Sequence, residues 1–126
     1  METTSTAVRR SLSEPDEGPT LPKADIAMIT IGEHPFARVI LEPGWKWSEH
    51  VKPVAQTDSC EFPHACYVLS GTLHVAMDDG TEIEAGKDDV FVIAPGHDAW
   101  VVGNEPCVMY DLGTADDADF GKPPKQ

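Results

Sequence analysis

Apolar and polar positions alternate in short runs through the middle of the chain, with the two-residue period of β-strands. Apolar runs of four to seven residues are separated by Gly, Pro or Asp-Gly, and no stretch keeps the period of an amphipathic helix. The pattern predicts strands over residues 26–31, 36–41, 45–51, 65–70, 72–77, 81–85, 90–94, 99–102 and 107–112. Many short strands joined by tight turns favour a jelly-roll barrel or a sandwich, because both limit exposed sheet edges.

The strongest local turn signal is Asp78-Asp79-Gly80, between the runs LHVAM and TEIEA. Asp-Gly readily supplies the positive φ that a tight hairpin turn requires. The two flanking strands are therefore predicted to pair antiparallel.

The two ends of the chain differ in composition from its middle. Residues 1–22 are rich in Ser, Thr, Pro and Glu, which predicts a disordered N-terminal arm. Residues 114–126 are predicted to be a short acidic C-terminal tail. One domain over residues 24–113 fits a chain of 126 residues.

The net charge of the chain bears on the classes of molecule that it can bind. Nine Lys and Arg residues against 22 Asp and Glu give a net charge of -13, which repels nucleic-acid backbones and anionic lipid head groups. The N-terminal residues METTSTAVRRSLSEPDEGPT contain no apolar run of a secretory signal, so a cytoplasmic location is expected. The three cysteines, Cys60, Cys66 and Cys107, form no CxxC pair and fit reduced thiols.

Three of the five histidines, His50, His64 and His97, lie at the ends of predicted strands. In a closed barrel such ends can meet at one mouth, where neutral imidazoles suit Zn, Fe, Ni or Cu. Any one of these histidines, taken alone, is better explained as a hydrogen-bonded structural residue. The spacing therefore indicates a candidate metal site that needs further support.

The segments PGWKWSEH, YVLSGTLHV and DVFVIAPGH supply that support, because in this order they resemble the two motifs of the cupin superfamily. Gly44 and His50 reproduce the start of the first motif, and Gly71 reproduces its end. Lys52 stands at the position of the motif's second histidine, and His64 stands at that of its glutamate. The resemblance covers about residues 39–106.

The second motif is recognisable in DVFVIAPG. Strict counting from Gly96 puts Ala99 at its usual histidine position, and His97 can serve there if the turn is two residues shorter. The Lys52 side chain has two possible roles: it pairs with a substrate carboxylate, or it points into water.

The resemblance implies an all-β, single-domain jelly-roll barrel of the cupin type with one divalent transition metal inside. The implied ligands are His50, His64 and His97, with Cys60 or Glu61 as a candidate fourth. Zn and Fe are the leading metals, and Ni, Mn and Cu are alternatives.

The function implied by the resemblance is that of a metalloenzyme acting on a small organic molecule, such as a dioxygenase, an isomerase or a cyclase. A non-catalytic binding or sensing module and a metal-free structural barrel are the alternatives, because one fold hosts many chemistries. A homodimer is also expected. Trp45 and Trp47 are predicted to fill the core or cover a dimer face, and stacking on a substrate is the less favoured reading.

Overall fold

The computed structural model describes residues 6–113, over which the chain forms two antiparallel sheets and two short helices. The strands are β1 (Thr20–Leu21), β2 (Ala24–Ile31), β3 (His34–Leu41), β4 (His64–Ser70), β5 (Leu73–Met77), β6 (Glu82–Ala85), β7 (Val90–Ile93), β8 (His97–Val101) and β9 (Cys107–Asp111). The helices are α1 (Trp47–His50) and α2 (Lys52–Ala55).

The larger sheet has the strand order β1-β2-β3-β9-β4-β7, and the smaller sheet has the order β6-β5-β8. Apolar side chains from both sheets form one buried cluster. Its members include Leu41, Cys66, Val68, Leu73, Val75, Phe91, Ile93, Ala99, Val101, Cys107 and Met109. The two sheets share this core, which confirms the predicted all-β barrel class.

Side-chain alternation explains how one face of each strand reaches the core. In β8, His97, Ala99 and Val101 are buried, whereas Asp98 and Trp100 between them are partly exposed. Successive strand residues point to opposite faces of a sheet, so an alternating sequence buries one set. This alternation places His97 on the core side.

Eight of the nine predicted strands are confirmed, with shifts at their ends of one or two residues. The predicted strand over residues 45–51 is wrong, because this segment turns into α1 and α2. Trp45 and Trp47 alternate as in a strand, but Trp47 already begins a helix and both indoles are buried. Pro53, which lacks a backbone N–H, lies in the first turn of α2, where that donor is not needed.

The predicted hairpin at residues 78–80 is confirmed. β5 pairs antiparallel with β6, and the Met77 N–H donates to the Thr81 carbonyl at 2.8 Å. Gly80 has a φ of +94°, the conformation that this turn requires.

Part of the predicted N-terminal arm lies against β2. The Asp16 N–H donates to the Met28 carbonyl at 2.8 Å, the Met28 N–H donates to the Glu17 carbonyl at 2.8 Å, and β1 pairs with the start of β2. The structure thus differs from the predicted arm here, because strand pairing uses backbone groups that composition does not reveal. The acidic tail and residues 1–5 lie outside the described residues.

Neither helix within residues 6–113 has the length and apolar character needed to cross a bilayer.

Replacement of Gly71 by alanine tests how closely the chain packs where β4 leads into β5. Gly71 has a φ of +78°, and a Cβ there would overlap the Pro106 carbonyl oxygen and lie 2.6 Å from the Cys107 Cα. We expect Gly71→Ala to lower the free energy of unfolding by about 3 kcal/mol or more in urea denaturation, since strain and overpacking add. Gly103→Ala is the control, because Gly103 also has a positive φ but has nothing within 4 Å of the added Cβ. Equal losses in the two variants would contradict the close packing.

Candidate metal centre

Cys60, His64 and His97 form a cluster in which the candidate ligand atoms all lie within 4.8 Å of one another. The Cys60 Sγ is 3.7 Å from the His64 Nε2, and the two imidazole rings meet edge to face with centroids 5.3 Å apart. His64 is the first residue of β4 and His97 the first residue of β8, so the cluster joins the two sheets. The sequence analysis expected histidines at strand ends to come together, and the structure brings His64 and His97 together in this way.

Cys60 lies in the loop between α2 and β4, and backbone hydrogen bonds hold it beside His97. The Cys60 N–H donates to the His97 carbonyl at 2.8 Å, and the Gly96 N–H donates to the Cys60 carbonyl at 2.7 Å. The preceding residue, Ser59, is buried and its hydroxyl donates to Asp78 at 2.9 Å. The thiol is therefore fixed by its backbone, although it comes from a loop.

His64 is oriented by Asp111, the last residue of β9. The His64 Nδ1–H donates to an Asp111 carboxylate oxygen at 2.6 Å, and the other oxygen accepts from the Gly113 N–H at 2.7 Å. Because Nδ1 bonds to Asp111, the Nε2 atom on the other side of the His64 ring is the one that contacts the Cys60 Sγ. The sequence analysis did not identify Asp111. In β9, Asp111 alternates with the buried residues Cys107 and Met109 and so lies on the inward face of the strand. An acidic residue on an inward face was the signal that could have revealed its role.

His97 is buried, and its Nδ1–H donates to the Ala94 carbonyl at 2.9 Å. With Nδ1 committed to this bond, Nε2 is the ring nitrogen left for other partners. In both histidines, Nδ1 is held by a partner and Nε2 is the candidate ligand atom; the Nε2 of His64 lies 3.7 Å from the Cys60 Sγ.

The Cys60 thiol and the His64 imidazole shift each other's ionisation. Burial opposes a charge on Cys60, but hydrogen bonds from His64 and His97 outweigh it and lower the pKa of the thiol to about 6. Burial likewise opposes a charge on His64, but hydrogen bonds to Asp111 and Cys60 raise the pKa of this imidazole to about 9. Without a metal, these opposite shifts favour a thiolate beside an imidazolium near neutral pH.

The pKa values of the other two cysteines shift in the opposite direction. Burial and the nearby Asp111 carboxylate raise the pKa of the Cys66 thiol far above its usual range, and burial raises the pKa of the Cys107 thiol to about 11. Among the three cysteines, Cys60 alone is therefore suited to act as a thiolate ligand near neutral pH.

The donor set fits a metal ion. A tetrahedral ion with one thiolate and two imidazole ligands needs donor atoms about 3.5 Å apart, close to the 3.7 Å between the Cys60 Sγ and the His64 Nε2. A histidine whose second nitrogen donates to a carboxylate or a backbone carbonyl is the usual form of a metal-bound histidine, and both rings have that arrangement.

The structure does not bring His50 or Glu61 into the cluster formed within residues 6–113. His50 lies on α1 and not on a strand, and its Nδ1 faces the backbone of Lys46, 3.1 Å from the amide nitrogen. Glu61 is exposed, one residue beyond Cys60. Lys52 is half-buried at the start of α2.

The cluster lies in the wall of a cavity of about 600 Å³ inside the barrel. Most of its lining is apolar and comes from both sheets and from residues 45–51, which include α1. This lining includes Leu41, Trp45, Trp47, Val51, Leu73, Phe91, Ile93 and Met109. Candidate ligands and an apolar chamber are therefore parts of one site.

Neither a protein-family model nor a curated protein matches the sequence. Solved structures do resemble this one. The cupin domain of Cnp3 from Schizosaccharomyces pombe aligns with a TM-score of 0.55 and 16% identity, covering 85% of this chain and 74% of that one. The chain has the cupin fold.

Two enzymes share this cupin fold. The polyketide cyclase RemF from Streptomyces resistomycificus aligns with a TM-score of 0.57 and 15% identity, over 86% of this chain and 79% of that one. The oxalate decarboxylase of Lactobacillus farciminis, solved with formate, aligns with a TM-score of 0.63 and 13% identity, over 94% of this chain and 36% of that one. At such identities the likeness concerns the cupin fold alone.

Titration of the metal-free protein tests the coupling of Cys60 and His64. As pH rises, we expect one thiolate to appear in the ultraviolet spectrum with a midpoint near pH 6, since the imidazolium stabilises the anion. Cys60→Ser should remove this transition. Asp111→Asn should move it to higher pH, because His64 then holds its proton less tightly. A wild-type protein with no thiolate below pH 8 would contradict the coupling.

Proposed function

We propose that this chain is a metalloenzyme that binds one zinc ion through Cys60, His64 and His97 and acts on a small, largely apolar organic molecule in the adjoining cavity. The observation that carries the proposal is that the candidate ligand atoms of Cys60, His64 and His97 lie within 4.8 Å of one another in the cavity wall. The partners of the two Nδ1 atoms strengthen it, because they hold both rings in the orientation that a ligand needs.

The donor types favour zinc over the other metals considered. One thiolate and two imidazoles are typical ligands of a borderline-soft ion, and three protein ligands are typical of a catalytic zinc site. The set lacks the carboxylate ligand of the two-histidine, one-carboxylate iron centres, because Asp111 contacts the outer nitrogen of His64. If zinc is bound by these three residues, it would supply a Lewis acid at the wall of the chamber.

The residues of the chain would perform the remaining tasks. The apolar lining binds the substrate and excludes water, which strengthens polar interactions at the wall. Asp111 and the Ala94 carbonyl fix the rings of His64 and His97. The RemF cyclase and the oxalate decarboxylase are enzymes on this fold, which supports catalysis by analogy only.

A binding module without turnover is the alternative from another class, and it would use the same chamber. Saturable binding with the ligand recovered unchanged would favour it. The cytoplasmic location and the homodimer remain predictions.

A metal-free thiol site is the second candidate, and a specific observation favours it. Asp111, His64 and Cys60 form a continuous chain, with 2.6 Å between carboxylate and imidazole and 3.7 Å between imidazole and sulfur. This is the order of groups that activates a cysteine nucleophile. Zinc binding would compete with this use of Cys60, since a metal-bound thiolate is a weaker nucleophile than a free one.

Elemental analysis of the untagged protein with matched variants tests the zinc proposal. We expect about one zinc per chain in the wild type and a loss of nearly all of it in Cys60→Ser, His64→Gln and His97→Gln, because two remaining ligands hold the ion poorly. His50→Gln is the matched control and should keep its zinc. Asp111→Asn should weaken zinc affinity by about 10- to 100-fold, since it releases the outer nitrogen of His64.

Two outcomes would overturn the proposal. A wild-type protein without zinc, whose Cys60 is selectively alkylated at neutral pH, would favour the thiol candidate. Zinc retained in all three ligand variants would place the ion elsewhere in the chain.

A further inference from the structure

The backbone of Cys60 is joined to the barrel by a bridge of a single residue pair. Cys60 pairs with His97 as an isolated antiparallel bridge outside the named strands. A residue inside a strand is held by the hydrogen bonds of its neighbours in the ladder as well as by its own, and an isolated bridge lacks that support. The side-chain contacts of this loop therefore bear directly on where the Cys60 thiol lies.

Ser59, the residue before Cys60, makes such a contact. Ser59 is 5% exposed, and its hydroxyl donates to the Asp78 Oδ2 at 2.9 Å. The Glu61 Oε2 is farther from the same hydroxyl, at 3.4 Å. A hydroxyl has one proton to donate, and the shorter distance assigns it to Asp78. Moving the loop outward would break this bond and leave the hydroxyl without its main acceptor, which costs free energy.

Asp78 also bonds to the residue that precedes His97. Its N–H donates to the Gly96 carbonyl at 2.9 Å, and the Gly96 N–H donates to the Cys60 carbonyl at 2.7 Å. The approach is close, since a Cβ on residue 96 would lie 3.0 Å from the Asp78 Oδ2. These two bonds, the bond from Ser59 and the Ser59–Cys60 peptide link form a closed ring. Cys60 belongs to this ring, and His97 directly follows one of its members.

We infer that Asp78 is a positioning residue that fixes the Cys60 thiol relative to His97. It acts through its hydrogen bonds to Ser59 and Gly96, and it is not itself a member of the ligand cluster. The inference rests on the proposed function in that both ligands belong to the metal site proposed above. The hairpin residue Asp78 thus has a role in the site as well as in the turn.

Cobalt titration of the metal-free protein tests this role, because cobalt(II) occupies zinc sites and absorbs in the near ultraviolet when a thiolate binds it. We expect Asp78→Ala to weaken cobalt binding by about 5-fold, the effect of one net hydrogen bond, because Asp78 is exposed and water competes for its carboxylate. The thiolate-to-cobalt band should lose intensity, since the Cys60 sulfur is held less firmly. Asp78→Asn keeps an acceptor oxygen and should retain wild-type values for both.

Asp79→Ala is the matched control. Asp79 is also exposed and lies in the same hairpin, but its carboxylate accepts from the Thr81 N–H at 2.9 Å and takes no part in the ring. This variant should bind cobalt as the wild type does. Ser59→Ala removes the other partner of the contact, so its loss should equal that of Asp78→Ala, and the double variant should lose no more than either one. Ser59→Ala also keeps the test decisive if Asp78→Ala does not fold.

Amide hydrogen exchange in the metal-free protein separates positioning from a general loss of stability. In Asp78→Ala, the amides of Cys60 and Gly96 should exchange about 5-fold faster, because the ring that holds them is opened. The amide of Val75, in the middle of β5, should exchange at the wild-type rate.

The outcomes distinguish this inference from the proposed function. Wild-type cobalt affinity in Asp78→Ala, a loss that Asp78→Asn shares, additive losses in the double variant, or an equal rise in exchange at all amides would each overturn the positioning role. A wild-type protein that binds no metal, but whose Cys60 and Gly96 amides exchange faster in Asp78→Ala, would support the positioning of Cys60 and refute the zinc proposal.

Discussion

The hydrogen-bonded pairing of Cys60 with His97 is the interaction on which the site depends. His64 belongs to the larger sheet and His97 to the smaller one, and no strand pairing joins β4 to β8. The loop before β4 makes that connection, because the amide and the carbonyl of Cys60 bond to the backbone at the start of β8. The same two bonds bring the thiol to the imidazoles. The same backbone hydrogen bonds therefore close this end of the barrel and assemble the ligand cluster.

The fold could be predicted because strand alternation and turn chemistry are local signals. Pairs such as Val75 with Leu73, or Met109 with Cys107, alternate with outward residues, and Asp79-Gly80 forces a turn. The helical segment over residues 47–55 could not be predicted in this way, since its tryptophans repeat with the period of a strand. Its burial depends on the cavity that both sheets enclose, which is not a local property.

The candidate site was predictable in part. The ends of β4 and β8 gave His64 and His97, and Cys60 was considered because it lies just before His64. His50 shares the position at the end of an apolar run, but helical winding turns its ring toward its own backbone. Asp111 was missed because its role arises only when β9 pairs with β4, which sets Cys66 opposite Asp111 and brings the carboxylate to His64.

The site combines two environments that oppose each other energetically. Cys60, whose thiol has a lowered pKa, and Asp111 lie at one wall, where burial penalises charge, and most of the remaining lining is apolar. Without a metal, a proton on His64 would offset this cost by placing a positive charge between Cys60 and Asp111. A bound divalent cation would take over that role, and His64 would release its Nε2 proton to become a ligand. A metal cation and a proton would thus compete for one position between the same groups. In either state the charge at this wall would be compensated, while most of the chamber lining stays apolar.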